Sequence, residues 1–184
     1  MRTRTAFTLT ELIIVLSILV ALSGIVVPLC SENLAVAKET VTRSTLAQAR
    51  EGMLQYWHDT KFIELNGLTT VASESQRFSL TWLFLNPVTN NTTVQFDPNS
   101  RSGWNGPYMS TATADAIAVG GPNLVDGWNQ SLLVQYVDPN AVLKDVRIVS
   151  PGPNGAIDIP SNTATSALTT NSIGDDVYVA LMLR

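Results

Sequence analysis

The residue types that most often carry enzyme or metal chemistry are scarce in this chain. It contains one histidine, His58, and one cysteine, Cys30, among 184 residues. A CxxC redox pair or an intramolecular disulfide needs two cysteines, and a Cys/His zinc cluster needs more ligands than His58 and Cys30 supply, so none of these can be built. A Ser-His-Asp triad would have to use His58, which falls on a predicted stem helix rather than in a cleft.

Paired carboxylates are the remaining route to catalysis, and Asp175 and Asp176 are adjacent in the sequence. Their side chains diverge if the backbone there is extended, because successive side chains of a strand point to opposite faces. The chain also has no Walker-type glycine loop, so it is not expected to hydrolyse ATP. We therefore predict that the protein is not an enzyme.

The composition narrows the class of protein further. Acidic residues outnumber basic ones by 15 to 11, which gives a net charge of −4, and only 14% of residues are charged. A nucleic-acid surface needs clustered Lys and Arg, so no nucleic-acid partner is expected. Apolar residues make up 45% of the chain and the mean hydropathy is +0.16, which excludes intrinsic disorder.

Much of that hydropathy lies in residues 7–30, an apolar run in which Glu11 is the only charged residue. As a helix the run would rise about 36 Å at roughly 1.5 Å per residue, enough to cross a hydrocarbon core of about 30 Å. We expect a kink at Gly24 and Pro28, since proline lacks an amide hydrogen.

Three kinds of N-terminal segment fit this run. Arg2 and Arg4 precede it, so the positive-inside rule predicts a cytoplasmic N-terminus and an exported remainder in each case. An ordinary signal peptide would be cut after Ala37, at the end of an Ala-Val-Ala sequence. A lipoprotein signal would end at Cys30, but Leu29 stands where a small residue is needed.

The third kind is a segment that stays in the membrane and assembles with other proteins, and Glu11 favours it. A carboxylate inside a membrane span costs roughly 2.5–3.5 kcal/mol at mid-helix and less near an end. An ordinary signal peptide has no use for that cost. A protein that assembles after insertion could pair the acid with a positive group on a neighbour.

The sequence from Ala6 to Leu16, AFTLTELIIVL, with the later Pro28, resembles the class III signal of type IV pilins and type II secretion pseudopilins. In that family a prepilin peptidase cuts just before the Phe and methylates the new amine, and the apolar helix remains in the mature protein. The resemblance implies cleavage between Ala6 and Phe7, N-methylation of Phe7 and an assembly role for Glu11. The family usually has Gly where this chain has Ala6.

Residues 31–61 are predicted to continue this helix as a stem that packs on a head. Apolar residues recur there at steps of three and four, the period of one helix face. They are Leu34, Ala37, Val41, Ala49, Met53 and Tyr56 or Trp57. His58, at the end of the stem, is interpreted as a surface or capping residue.

Residues 62–184 change to short β-like runs separated by Gly, Pro, Asn and Asp. Strands are predicted within 131–137, 146–149 and 177–183, while 78–85 fits either a strand or a short helix. Three strands packed on a helix make a small α+β head. The predicted fold is therefore α+β, with a long N-terminal membrane-spanning helix, a stem helix and a small antiparallel β-sheet head. The resemblance implies that this arrangement is pilin-like.

Two short motifs of the head resemble stretches of major pseudopilins. Residues 103–109, GWNGPYM, are similar to a W-x-G-P-Y-L stretch, and residues 126–136, DGWNQSLLVQY, to a D-P-W-G-x-P-Y-x-Y stretch. Gly127 and Ser131 stand where the family has proline. The tryptophan in each motif is interpreted as a packing residue.

A third stretch, residues 146–158, resembles the pseudopilin loop that binds calcium. The resemblance implies calcium ligands at Asn154, Asp158, Asp175 and Asp176, since calcium takes six to eight oxygens. Asn154 stands where the family carries Asp, and the insert between the two halves of the loop is longer here. The alternative is that Asp175 and Asp176 are turn residues before the last strand. A connection this polar can be ordered by an ion or can be mobile.

The resemblance as a whole implies a structural subunit of a type II secretion pseudopilus. Residues 1–6 would be a removed leader and residues 7–30 a single span of the bacterial inner membrane, with the head in the periplasm. The implied partners are further copies of the chain, minor pseudopilins, prepilin peptidase and an inner-membrane assembly platform with its ATPase. The alternatives are a type IV pilin subunit of a surface pilus and a periplasmic binding protein released after Ala37.

Overall fold

The computed structural model describes residues 8–60, 78–86, 95–110, 123–137 and 144–183. The chain divides into two compact units, residues 1–38 and 39–184. A single helix, α1 (Leu9–Thr60), contributes residues to both units.

The predicted long apolar helix at the N-terminus is confirmed. α1 continues without interruption through Gly24 and Pro28. It is the one helix of the described residues that is long and apolar enough to cross a membrane. Every large apolar side chain from Leu9 to Val26 is at least half exposed, so no described residue buries this part of the helix.

The head contains a three-stranded antiparallel sheet. Its strands are β1 (Leu133–Tyr136), β2 (Lys144–Ser150) and β3 (Val177–Leu183), in the spatial order β1-β2-β3. Leu133 lies opposite Val149 in the first pair of strands. The three strands predicted from the sequence are thereby confirmed. The undecided segment 78–85 forms a turn of 3-10 helix at Leu80–Leu83.

The second half of α1 packs in the core of the head. Leu46, Ala49, Met53 and Tyr56 are buried and belong to one cluster with residues of β2 and β3, and side chains of β1 pack against that cluster. The predicted stripe is therefore right for Ala49, Met53, Tyr56 and Trp57. It is wrong for Leu34, Ala37 and Val41, which are exposed.

The reason for the error is a polar residue on the buried face. Thr42 is fully buried where the stripe predicts Val41. The Thr42 hydroxyl oxygen accepts a hydrogen bond of 2.9 Å from the backbone N–H of Gly127, which satisfies its polar atom inside the protein. Hydrophobic periodicity does not register a threonine that is buried through a contact made 85 residues later in the chain.

A long segment, residues 151–176, joins β2 to β3, and we call it the β2–β3 connection. It includes a turn of 3-10 helix at Thr165–Ala167 and the short helix α2 (Thr170–Ile173). Thr169 caps α2 through a reciprocal pair of hydrogen bonds with Ser172. This connection holds the acids singled out in the sequence.

Candidate functional site

The β2–β3 connection brings three predicted site residues together. One carboxylate oxygen from each of Asp158, Asp175 and Asp176 lies within 4.8 Å of the others, and we call these residues the acid cluster. Asp175 lies in a turn after α2 rather than in an extended strand, so the adjacent carboxylates converge. Gly174 has a φ of +60°, and a Cβ at this position would collide with the Asp158 carboxylate. A glycine is therefore required for the close approach.

Asp176 is the buried member of the acid cluster, with 6% of its surface exposed. Its Oδ2 accepts hydrogen bonds of 2.8 Å from the backbone N–H groups of Asp158 and Ile159. Its Oδ1 is buried, and no described residue donates to it. Burial raises the pKa of Asp176; the two backbone hydrogen bonds oppose this effect, and the charges of Asp158 and Asp175 add to it.

Asn154, the fourth predicted ligand, also lies at the acid cluster. Its side-chain Nδ2 donates to Asp175 Oδ1 at 2.5 Å and to Asp158 Oδ2 at 3.3 Å. Its Oδ1 points away from the acids and accepts a hydrogen bond of 2.6 Å from Ala156 N–H. Asn154 thus presents its NH₂ group to the carboxylates, whereas a metal ligand would present the amide oxygen.

The donor set of the acid cluster fits a hard divalent cation. Three carboxylates converge, and one buried oxygen, Asp176 Oδ1, has no donor among the described residues. Calcium prefers carboxylate and carbonyl oxygens on a flexible frame. Asp158, Asp175 and Asp176 would hold such an ion, and Asn154 as it is placed would not.

A second network, made of protein groups, holds the β2–β3 connection. Arg147, in the middle of β2, is fully buried. Its guanidinium donates to the carbonyl oxygens of Pro160 at 2.6 Å and Thr163 at 2.8 Å, and to Gln135 Oε1 at 2.7 Å. Burial lowers the pKa of Arg147, while the charge of Asp145 opposes that effect. The connection is therefore anchored by protein groups.

Neighbouring side chains complete this anchorage. Gln135 donates through Nε2 to the carbonyl oxygen of Ile159 at 3.0 Å. The Asp145 carboxylate accepts bonds of 2.7 Å from both the backbone N–H and the hydroxyl of Thr165. Sequence reasoning missed Arg147, although an arginine inside the apolar run of a strand is a signal that its charge needs internal acceptors.

The two head motifs are structural. Asp126, 5% exposed, accepts bonds of 2.8 Å from the N–H groups of Trp128 and Gln130 through one oxygen. Its other oxygen accepts a hydrogen bond of 2.6 Å from the hydroxyl of Ser150, and this bond connects the turn to the end of β2. This agrees with the turn chemistry expected of the Asp-Gly-Trp-Asn sequence.

The other motif packs against the end of α1. Trp104 donates through Nε1 to the carbonyl oxygen of Trp82 at 2.8 Å, and the Tyr108 hydroxyl donates to Asp59 Oδ2 at 3.0 Å. Both Trp104 and Trp128 are partly buried against the core, so the interpretation of the tryptophans as packing residues is confirmed. The His58 side chain is 77% exposed beside Asp59, in agreement with its interpretation as a surface residue.

Glu11 lies in the first turn of α1 and caps it together with Thr8. The Thr8 N–H and hydroxyl donate to Glu11 Oε2 at 2.9 and 2.7 Å, and Glu11 N–H donates to the Thr8 hydroxyl oxygen at 3.3 Å. The Thr-x-x-Glu spacing is the capping-box signature, so this role of Glu11 was predictable from the sequence. The predicted processing residues Ala6 and Phe7 lie outside the described residues.

Two features of this chain are thus candidates for function. One is the exposed apolar half of α1 with Glu11 at its start, and the other is the acid cluster of the head. No protein-family model, no curated protein and no solved structure matches the chain.

Proposed function

We propose that this protein is a structural subunit of a pilus-like filament, the pseudopilus of a type II secretion system. The observation that carries the proposal is the apolar N-terminal segment of α1, residues 9–26, whose large apolar side chains are all at least half exposed. Leaving each of these in water forgoes about 1 kcal/mol of burial free energy. The helix therefore needs lipid around it before assembly and other subunits around it afterwards.

The two serine side chains of this segment are compatible with a hydrocarbon environment. Ser17 donates its hydroxyl to the carbonyl oxygen of Ile14 at 2.7 Å, and Ser23 donates to that of Val20 at 2.9 Å. Both hydroxyl protons are therefore satisfied within the helix, as a membrane span requires.

Glu11 is the charged exception, and we assign it to assembly. Both hydrogen bonds from Thr8 end on Oε2, and among the described residues no donor contacts Oε1. We propose that the amine of Phe7 in a neighbouring subunit pairs with this carboxylate inside the filament. A charge without a partner in so apolar a surrounding would be costly, so the pair would select one axial register between subunits.

The remaining parts of the proposal rest on the resemblance of the N-terminal sequence and of the head motifs. The chain would cross the bacterial inner membrane once, with its head in the periplasm. Prepilin peptidase would cut between Ala6 and Phe7 and methylate Phe7. Further copies of the chain, minor pseudopilins and the assembly platform with its ATPase would then build the filament that helps export proteins.

Calcium is part of the proposal as an accessory of the head. Asp158, Asp175 and Asp176 would hold the ion, which would offset the mutual repulsion of the three carboxylates. An ion that binds only the folded head stabilises it by about 2.7 kcal/mol at a hundredfold excess over Kd. Magnesium would substitute poorly because it demands a stricter octahedral geometry.

The N-terminus of the mature protein tests the proposed function most directly. Co-expressed with a prepilin peptidase, the mature chain should begin with an N-methylated Phe7 and contain 178 residues (184 minus 6). Loss of Arg2 and Arg4 should move its net charge from −4 to −6. A mature N-terminus at Lys38 would eliminate the proposal, since no membrane helix would remain. Filaments found on the cell surface rather than in the periplasm would favour a type IV pilus.

Calcium binding is tested on the full chain in detergent micelles. The melting temperature should be higher in millimolar calcium than in chelator, and Asp176→Ala should abolish that difference. Equal melting temperatures of the wild-type chain in both solutions would remove calcium from the proposal and leave the filament role untouched.

A further inference from the structure

We propose that the carboxamide of Asn154 takes the place of a cation between Asp158 and Asp175, and so sets how tightly the acid cluster binds calcium. This inference rests on the calcium site of the proposed function. It concerns the fourth residue at the acid cluster, which carries an amide rather than a carboxylate.

The amide nitrogen of Asn154 lies between two carboxylates of the acid cluster. Nδ2 donates to Asp175 Oδ1 and to Asp158 Oδ2, and thereby bridges two acids that would otherwise repel each other. The backbone N–H of Asn154 donates to the second oxygen of Asp175 at 3.0 Å. Two donors from one residue thus serve the exposed side of the acid cluster. Such bonds to charged acceptors are among the stronger hydrogen bonds in proteins.

The amide of Asn154 cannot be rotated to present its oxygen to the carboxylates instead. Oδ1 already accepts the Ala156 N–H at 2.6 Å. A rotation by half a turn would place NH₂ against that N–H and the oxygen against two carboxylates, so both contacts would become repulsive. The hydrogen-bond network therefore assigns the orientation of the group.

Asp176 forms the buried side of the acid cluster. Asp176 is 6% exposed, and its Oδ1 has no donor among the described residues, so the amide of Asn154 does not satisfy all three acids. An NH₂ group carries only a partial positive charge and reaches only Asp158 and Asp175. A cation could serve all three carboxylates, but the NH₂ group would have to leave first.

Asn154→Asp tests this competition, because it removes the bridging donor and adds a carboxylate ligand. The affinity of the full chain for calcium in detergent micelles should rise by roughly 10- to 100-fold, since ligand charge tunes calcium affinity. The same substitution should lower the melting temperature in chelator, where four carboxylates would repel with no bridge between them. These opposite shifts distinguish an ion competitor from a residue with a purely structural role.

Asn105→Asp is the matched control, because Asn105 is also exposed and also precedes a glycine. It should leave calcium affinity unchanged. Peptide mass analysis should verify the residue at each position, since an Asn before a Gly can lose its amide spontaneously. Asn154→Ala removes the bridge without adding charge, and should lower the melting temperature in chelator and raise calcium affinity a few-fold.

The outcomes separate this inference from the calcium proposal. If the wild-type chain binds no calcium and Asn154→Asp does, the inference stands and the wild-type site is lost from the proposed function. If both bind calcium with equal affinity, the proposed site stands and the inference is wrong. If neither variant at position 154 binds more tightly than the wild type, the amide does not compete with the ion and the inference is likewise overturned.

Discussion

The two halves of α1 place the same kinds of side chain in opposite surroundings. In residues 9–26 every large apolar side chain is at least half exposed, whereas Leu46 and Met53 in the second half are 2% and 0% exposed. Both parts belong to one continuous helix, so helix geometry does not explain the contrast. The second half packs in the core of the head, whereas no described residue buries residues 9–26.

This contrast predicts which property of the protein a mutation in each part of α1 should change. A change in the first half should alter insertion or assembly and leave the folding of the head unaffected. A change in the second half, or in the networks that order the head, should alter its free energy of unfolding and reach assembly only through that loss.

The largest expected effect is on assembly, from Glu11→Val. Leaving a buried charge without its partner costs about 3–5 kcal/mol, so we expect filament yield to fall by more than about a hundredfold. Insertion into the membrane should persist. Pelleted filaments and cross-linked oligomers would be measured against Glu32→Val, the same change at an exposed position of α1 outside the apolar segment. A normal yield from Glu11→Val would show that the carboxylate is dispensable.

Alanine substitution of one buried and one exposed leucine tests the contrast within one helix. Leu46→Ala should lower the free energy of unfolding of the head by about 2–5 kcal/mol, because it opens a cavity in the core. Leu16→Ala, at a position that is 54% exposed, should leave it unchanged. Denaturant unfolding followed by tryptophan fluorescence would measure both in micelles. Equal losses from the two variants would contradict the division of α1 proposed here.

Arg147→Met tests whether the hydrogen bonds of the Arg147 guanidinium hold the β2–β3 connection in place. The substitution leaves the carbonyl oxygens of Pro160 and Thr163 without their donor, at a cost of about 3 kcal/mol. Hydrogen exchange should accelerate in the peptide that covers residues 159–168. Arg50→Met serves as the control, since Arg50 is exposed and donates to one carbonyl of β3. Unchanged exchange in Arg147→Met would mean that the connection is held elsewhere.

The smallest effect is a pH dependence that arises from Asp176. Burial raises its pKa in the folded head, so the stability it contributes is fully present below its ordinary pKa of about 3.9 and is lost as pH rises through the folded pKa. Asp176→Asn should remove this loss. In chelator, the melting temperature of the variant relative to the wild type should therefore rise between pH 4 and pH 7. Parallel melting curves across that range would exclude a raised pKa.

Much of the secondary structure was predictable because its signals are local. Apolar composition and length indicated the N-terminal helix, and β-like runs bounded by turn residues indicated the three strands. The Thr8–Glu11 cap was equally local, in a sequence signature that went unused. The phase of the buried stripe was not predictable, because Thr42 is buried through a hydrogen bond to a distant turn.

The candidate site divides in the same way. Sequence by itself determined that Asp158, Asp175, Asp176 and Asn154 are available, since a resemblance in short motifs needs only residue types and their order. Only the tertiary structure decided that the three carboxylates converge, that Asn154 presents its NH₂ group to them, and that Arg147 anchors the connection they belong to. Those outcomes depend on contacts between residues up to 21 positions apart. Hydropathy and local spacing along the chain do not predict such contacts.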